Sequence, residues 1–149
     1  MKLVLVSVVL ATLACGGREI TAPAAASITI SDDACTADAI GNVVPDGFVV
    51  TLVNSTTDRA FFHLFLLNEG ATYSQLVDHI KEEQRRIRSA EPQLGFPRFA
   101  ILVSQRDLGP LENGSMEWNF VSGTYGMVCG RSGNAGTPGI HAVGPFKRP

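Results

Sequence analysis

About seven short runs rich in β-branched and aromatic residues recur along the chain, most of them bounded by turn-forming Gly, Pro, Asn or Asp, and this rhythm limits the chain to a sheet-built fold. The runs are Ala26–Ser31, Phe48–Val53, Phe61–Leu67, Phe99–Ser104, Ser115–Val121, Thr124–Cys129 and Ile140–Phe146. Phe48–Val53 and Phe61–Leu67 are nearly continuous apolar segments, the pattern of strands buried on both faces. Ser115–Val121 alternates instead, which sets Met116, Trp118 and Phe120 on one face. Pro45 and Gly47 mark one turn, Gly109-Pro110 and Asn113-Gly114 mark others, and Gly130–Gly139 reads as a flexible loop. One helix interrupts the series. Thr72 and Gln75 are spaced as a capping box, and Pro92 ends any continuation. Leu76, Val77, Ile80 and Ile87 fall near one face, while Lys81, Glu82, Glu83, Arg85 and Arg86 are expected to face water, with Glu82 and Arg86 spaced for an ion pair. The sum is an antiparallel β-sandwich with one inserted α-helix, a single domain over residues 27–149.

The N-terminus is an address. Met1-Lys2 precedes the apolar run Leu3–Leu13, which is too short to cross a hydrocarbon core of about 30 Å, and small residues follow. Residues 1–15 therefore read as a secretory signal peptide of an exported protein. Thr12-Leu13-Ala14-Cys15 resembles the lipobox of bacterial lipoproteins, although Thr12 stands where that motif usually carries Leu. The resemblance implies a lipid on Cys15, with residues 16–26 as a tether holding the domain off the membrane. Ordinary cleavage, leaving a periplasmic or extracellular protein without an anchor, is the other reading. A net charge of −2, with no basic cluster beyond Arg85, Arg86 and Arg88, argues against nucleic acid as a partner. The partners expected are the membrane, through a lipid anchor if Cys15 is acylated, and an envelope protein or small ligand.

With Cys15 assigned to the leader, Cys35 and Cys129 remain, an even number in an oxidising location. A disulfide between them is the default expectation. Closing a loop near 100 residues contributes about 4–5 kcal/mol in the chain-entropy account.

Gly123-Thr124-Tyr125-Gly126-Met127-Val128-Cys129 resembles the cupredoxin family, whose members end a strand with Gly-Thr-Tyr, three residues, then a copper-binding Cys. Val44–Asn54 is similar to that family's segment of Pro, Gly, strand and Asn, and Leu67–Thr72 before the helix resembles an exported cupredoxin-like subgroup with a helical insertion. The resemblance spans about Ser27–Phe146 and implies an all-β, antiparallel Greek-key sandwich. It also implies electron transfer at a blue-copper centre, which needs a Cys thiolate, two imidazoles and a weak axial Met. Cys129 takes the Cys position, and His141 closes the loop that follows it. No Met comes after His141, where the chain reads Ala142-Val143-Gly144-Pro145-Phe146. The first imidazole position falls on Ala60. His63 lies an odd number of positions further on, so strand alternation turns it to the opposite face unless a bulge intervenes. His79 sits on the helix beside its charged face and is expected to be solvated. Cys35 stands where copper-binding relatives carry a core residue, and a bridge to it would consume the thiolate of Cys129.

The reading from sequence is a non-catalytic binding or structural domain of the cell envelope, without a cofactor, in which a Cys35–Cys129 disulfide has replaced the copper site. The alternative is a copper-binding electron-transfer or copper-handling protein using Cys129, His141 and His63. Enzyme readings are weaker. Cys129 with His141 lacks a recognisable orienting Asp or Asn, and Asp32-Asp33 and Glu82-Glu83 are adjacent pairs whose side chains diverge. Gly130–Gly139 lacks the Lys and the following helix of a phosphate loop. Asn54-Ser55-Thr56 and Asn113-Gly114-Ser115 match the glycosylation pattern, which a bacterial lipoprotein would not normally use. Phe61, Phe62, Phe65 and Trp118 read as core, with a hydrophobic ligand pocket as the sharper alternative. If Cys15 is acylated, radiolabelled palmitate should enter the full chain expressed in a bacterium, and Cys15→Ser should abolish the label. Label-free export of the unaltered chain would establish ordinary cleavage instead.

Overall fold

The computed structural model describes residues 26–132 and 139–149. The expected signal peptide, Cys15 and nearly all of the expected tether lie outside the described residues, as does most of the loop expected over Gly130–Gly139. Eight strands and one helix follow in order: β1 (Ser27–Ile30), β2 (Cys35–Asp38), β3 (Phe48–Asn54), β4 (Arg59–Leu67), α1 (Tyr73–Arg88), β5 (Ala100–Leu108), β6 (Asn113–Trp118), β7 (Gly123–Ser132) and β8 (Ile140–Arg148). They form two four-stranded sheets, ordered β2-β1-β3-β6 and β5-β4-β7-β8. Among the described residues the fold is thus a two-sheet β-sandwich with one helix.

Pairing is antiparallel throughout except between β1 and β3, which run parallel. The sequence did not suggest that pair. β2 lies between β1 and β3 in the chain but at the outer edge of the sheet, so the long connection after it returns the chain to β3 in the direction of β1. β2 itself is the strand missing from the sequence expectation. Its four residues, Cys-Thr-Ala-Asp, carry almost no apolar alternation, as suits a short edge strand.

Inward-facing residues of both sheets, among them Ile28, Ile30, Val50, Leu52, Phe62, Leu64 and Met127, form the main core. Ala26, where the expected tether and the first predicted strand run meet, is buried, and its carbonyl accepts from the Thr51 N–H at 2.9 Å. β4 is buried on both faces as expected: Ala60, Phe62 and Leu64 meet the opposite sheet, while Phe65 and Leu67 pack with Leu76 and Ile80 of α1. β3 differs from expectation. Val50 and Leu52 are buried but Val49 is exposed, because the helix covers the outer face of the other sheet. Met116 and Trp118 share the inner face of β6 as expected, whereas Phe120 lies beyond the strand end.

The helix begins with the predicted box: the Thr72 side chain accepts from the Gln75 N–H, and the Gln75 side chain accepts from the Thr72 N–H. The Glu82–Arg86 pair forms, at 3.0 Å. Glu83, expected in water, is instead 6% exposed, and its carboxylate accepts from the Leu94 N–H at 2.6 Å.

At the end of β3, Asn54 ties the two sheets together. Its Nδ2 donates to the Asp58 and Gly109 carbonyls, each at 2.7 Å, and its Oδ1 accepts from the Thr56 N–H and Oγ1. Buried and fully used, this amide has no room for a glycan. Asn54→Ala leaves several buried groups without partners, each costing about 1–3 kcal/mol. Chemical denaturation should register a loss of at least that size, with Ser55→Ala near neutral.

Candidate functional site

Cys129 lies on β7 with its side chain between the sheets and no exposure. It is bonded to Cys35 on edge strand β2, across a Cα–Cα distance of 6.3 Å and a sequence separation of 94. The bond therefore joins one sheet to the other. In strand pairing, residues directly opposite share a face. Phe62 of β4 and His141 of β8 both stand opposite Cys129, so His141 shares the sulfur's face. Ala60 is also buried on that face, in the position the family resemblance gives to an imidazole.

His63 pairs with Val128 and lies on the other face of the sheet. The β4–β7 register runs without a shift from Arg59 to Leu66, and the irregularity at Leu64/Phe65 belongs to the β4–β5 pairing. No bulge turns His63 towards the sulfur. The structure brings together two of the three residues proposed as copper ligands, Cys129 and His141, and separates the third. Among the described residues, no three His, Cys, Asp or Glu side chains gather into a metal-binding group. With its sulfur bonded to Cys35, the set does not fit a blue-copper centre.

His141 borders Ala34, Cys35, Lys81 and Gln84, and its buried Nε2 has no hydrogen-bond partner among the described residues. Burial, helped by the Arg131 charge, lowers its pKa, and Asp33 opposes the shift. His79 is half-buried rather than solvated, with Nε2 at 2.8 Å from the Gly95 carbonyl oxygen.

The outer face of β4 carries a second constellation. Phe61, His63 and Phe65 alternate along the strand, and Phe96 reaches over them from the segment after the helix. The His63 ring lies 4.7 Å from Phe61 and 5.5 Å from Phe96, centre to centre, and Phe65 lies 5.6 Å from Phe96. A cavity of about 390 Å³ opens here, with Ile80 and Ile87 of α1 on one side and Val128 and Ile140 on the other. Burial lowers the His63 pKa, and Asp107 opposes the shift. Contacts from the helix hold the segment carrying Phe96: Glu83 to the Leu94 N–H, His79 to the Gly95 carbonyl, and Arg86 to the Pro92 carbonyl at 3.2 Å. Gly95 takes φ +75, a turn that side chains rarely tolerate. Phe62 and Trp118 belong to the core between the sheets, as expected, whereas Phe61 and Phe65 line this cavity. Sequence reasoning missed Phe96 and Glu83; the signal available was Gly95-Phe96-Pro97, an aromatic held in turn chemistry.

No family model matches the chain, and no curated protein does. Two solved structures are similar to it. One is Na-dithionite reduced auracyanin from the photosynthetic bacterium Roseiflexus castenholzii, 19% identical with a TM-score of 0.37, covering 80% of this chain and 95% of that one. The other is auracyanin B, 18% identical with a TM-score of 0.36, covering 86% of this chain and 91% of that one. At these TM-scores the likenesses carry no argument about fold or ligands, and the sandwich rests on the strand order of this chain itself.

Both His63 and His141 are shifted below the ordinary value of 6.5. Below that value the unfolded chain takes up protons before the folded chain does, so stability holds above it and falls as the pH drops beneath it. Denaturation midpoints should fall between about pH 6.5 and 5, and the paired change His63→Gln, His141→Gln should flatten that interval. Glu82, held at about 2 by hydrogen bonds from Arg85 and Arg86, titrates outside it.

Proposed function

We propose that the chain is an exported, non-catalytic binding or structural domain of the cell envelope, anchored through a lipid on Cys15, in which a structural disulfide has taken the place of a copper thiolate. One observation carries this reading: the sulfur of Cys129 is bonded to Cys35. A thiolate is the indispensable ligand of a blue-copper site, and a sulfur in a disulfide cannot supply it. The placement of His63 on the far face of the sheet supports the same conclusion, since restoring it would require a one-residue slip of β4 against β7.

The copper-handling alternative rests on one feature, His141 opposite Cys129 with an unpartnered Nε2. After reduction these two could meet a metal ion, but no third ligand stands with them among the described residues.

Thiol titration of the purified mature protein, denatured without reductant, should find no free thiol. Adding Cu²⁺ to the native protein should give no intense blue charge-transfer band. Cys129→Ser should lower the unfolding free energy by about 4–5 kcal/mol, the chain-entropy value for so long a loop. A free thiol together with a blue band would establish the copper reading instead.

A further inference from the structure

We propose that the cavity around His63 binds one small, neutral, aromatic molecule carrying a single hydrogen-bonding group. The proposal rests on the reading of the chain as a binding domain and names what it binds. A volume of about 390 Å³ lies within the usual range for small-molecule sites, roughly 300–1,000 Å³. Its walls are aromatic. Phe96 meets His63 at 90° and Phe65 at 71°, so the rings already stand edge to face, and a planar guest extends the same packing.

Besides two charged residues, the polar side chains of the wall are His63, Gln93 and Ser132, and of these His63 stands among the aromatic rings. His63 sits among three phenyl rings, half-buried, with no hydrogen-bond partner among the described residues. A neutral imidazole offers one donor and one acceptor, enough for a single phenol, amine or carbonyl on the guest.

Charge selects a neutral guest. The two ionic groups in the wall have partners: Glu83 accepts from the Leu94 N–H, and Arg131 Nη1 pairs with Asp32 at 3.1 Å and Asp58 at 3.2 Å, while its Nε has no partner among the described residues. An anionic guest meets a guanidinium whose charge two carboxylates already balance, and it meets Glu83, with Asp107 beside Phe61 on the neighbouring strand. A cationic guest meets Arg131. Phe96 is 58% exposed, so a guest beneath it removes apolar surface from water at little cost in rearrangement, because the segment is pinned on both sides of Gly95.

The probe is N-phenyl-1-naphthylamine, a neutral fluorescent aromatic with one N–H, titrated into the purified mature protein. The expected result is saturable one-to-one binding, displaced by 2-naphthol, with the sulfonated anionic analogue 1-anilinonaphthalene-8-sulfonate at least about tenfold weaker. Phe96→Ala should weaken the neutral probe by about tenfold. Since Phe96 is exposed, that variant keeps the fold, which circular dichroism checks. His63→Leu should weaken 2-naphthol more than unsubstituted naphthalene, and Val121→Ser, an exposed position outside the cavity lining, should change nothing. Non-saturable binding, indifference to Phe96→Ala, or an anionic probe as tight as the neutral one would overturn the proposal. Such a failure, with no free thiol and no blue band, removes the cavity assignment and leaves the disulfide reading standing. A free thiol with a blue band removes that reading while the probe result still decides the cavity.

Discussion

The unbroken pairing of β4 with β7 sets the side of the sheet on which each candidate residue works. Strand geometry has a period of two, so once Phe62 stands opposite Cys129, Ala60 and Leu64 must face the opposite sheet, and Phe61, His63 and Phe65 must face the helix. The sheet thus separates two chemistries. Its inner face holds sulfur, His141 and the packed core, while its outer face holds an aromatic cavity with an imidazole. Moving His63 to the sulfur would slip the strand by one residue and turn every apolar side chain of β4 inside out.

The helix makes the outer face usable. Leu76 and Ile80 press against Phe65 and Val128, and they reach the sheet because β7 carries glycine where a side chain would obstruct. A Cβ at Gly126 would collide with Leu76, and one at Gly130 with the Phe61 ring. At its other end the helix stands over the open space beneath Phe96 instead of filling it. Glu83 explains why. On the cavity side the helix carries a buried carboxylate that accepts the Leu94 N–H, so it holds the segment bearing Phe96 rather than packing on the sheet.

Much of this was legible in the sequence, for identifiable reasons. Runs such as Phe61–Leu67 announced strands because β-branched and aromatic residues crowd a pleated surface. The capping box at Thr72 was readable because it is a local pattern. The disulfide followed from cysteine parity, and the orientation of His63 from counting positions along a strand. What escaped depended on distant partners. β2 carries too few apolar residues to signal a strand and exists because β1 offers it an edge. Val49 looked buried because a run of apolar residues does not say which sheet a helix will cover. Glu83 looked solvated because its neighbours are charged, and its acceptor role depends on Leu94, beyond the helix.

The bond between residues 35 and 129 also orders events in time. Its second sulfur lies on β7, so the linkage cannot close until the chain has been made through that strand. Where glutathione keeps thiols reduced, it does not close at all. The domain therefore reaches its full resistance to unfolding only after synthesis has passed β7 and the chain has met an oxidant, so that rigidity is set by redox surroundings as well as by sequence.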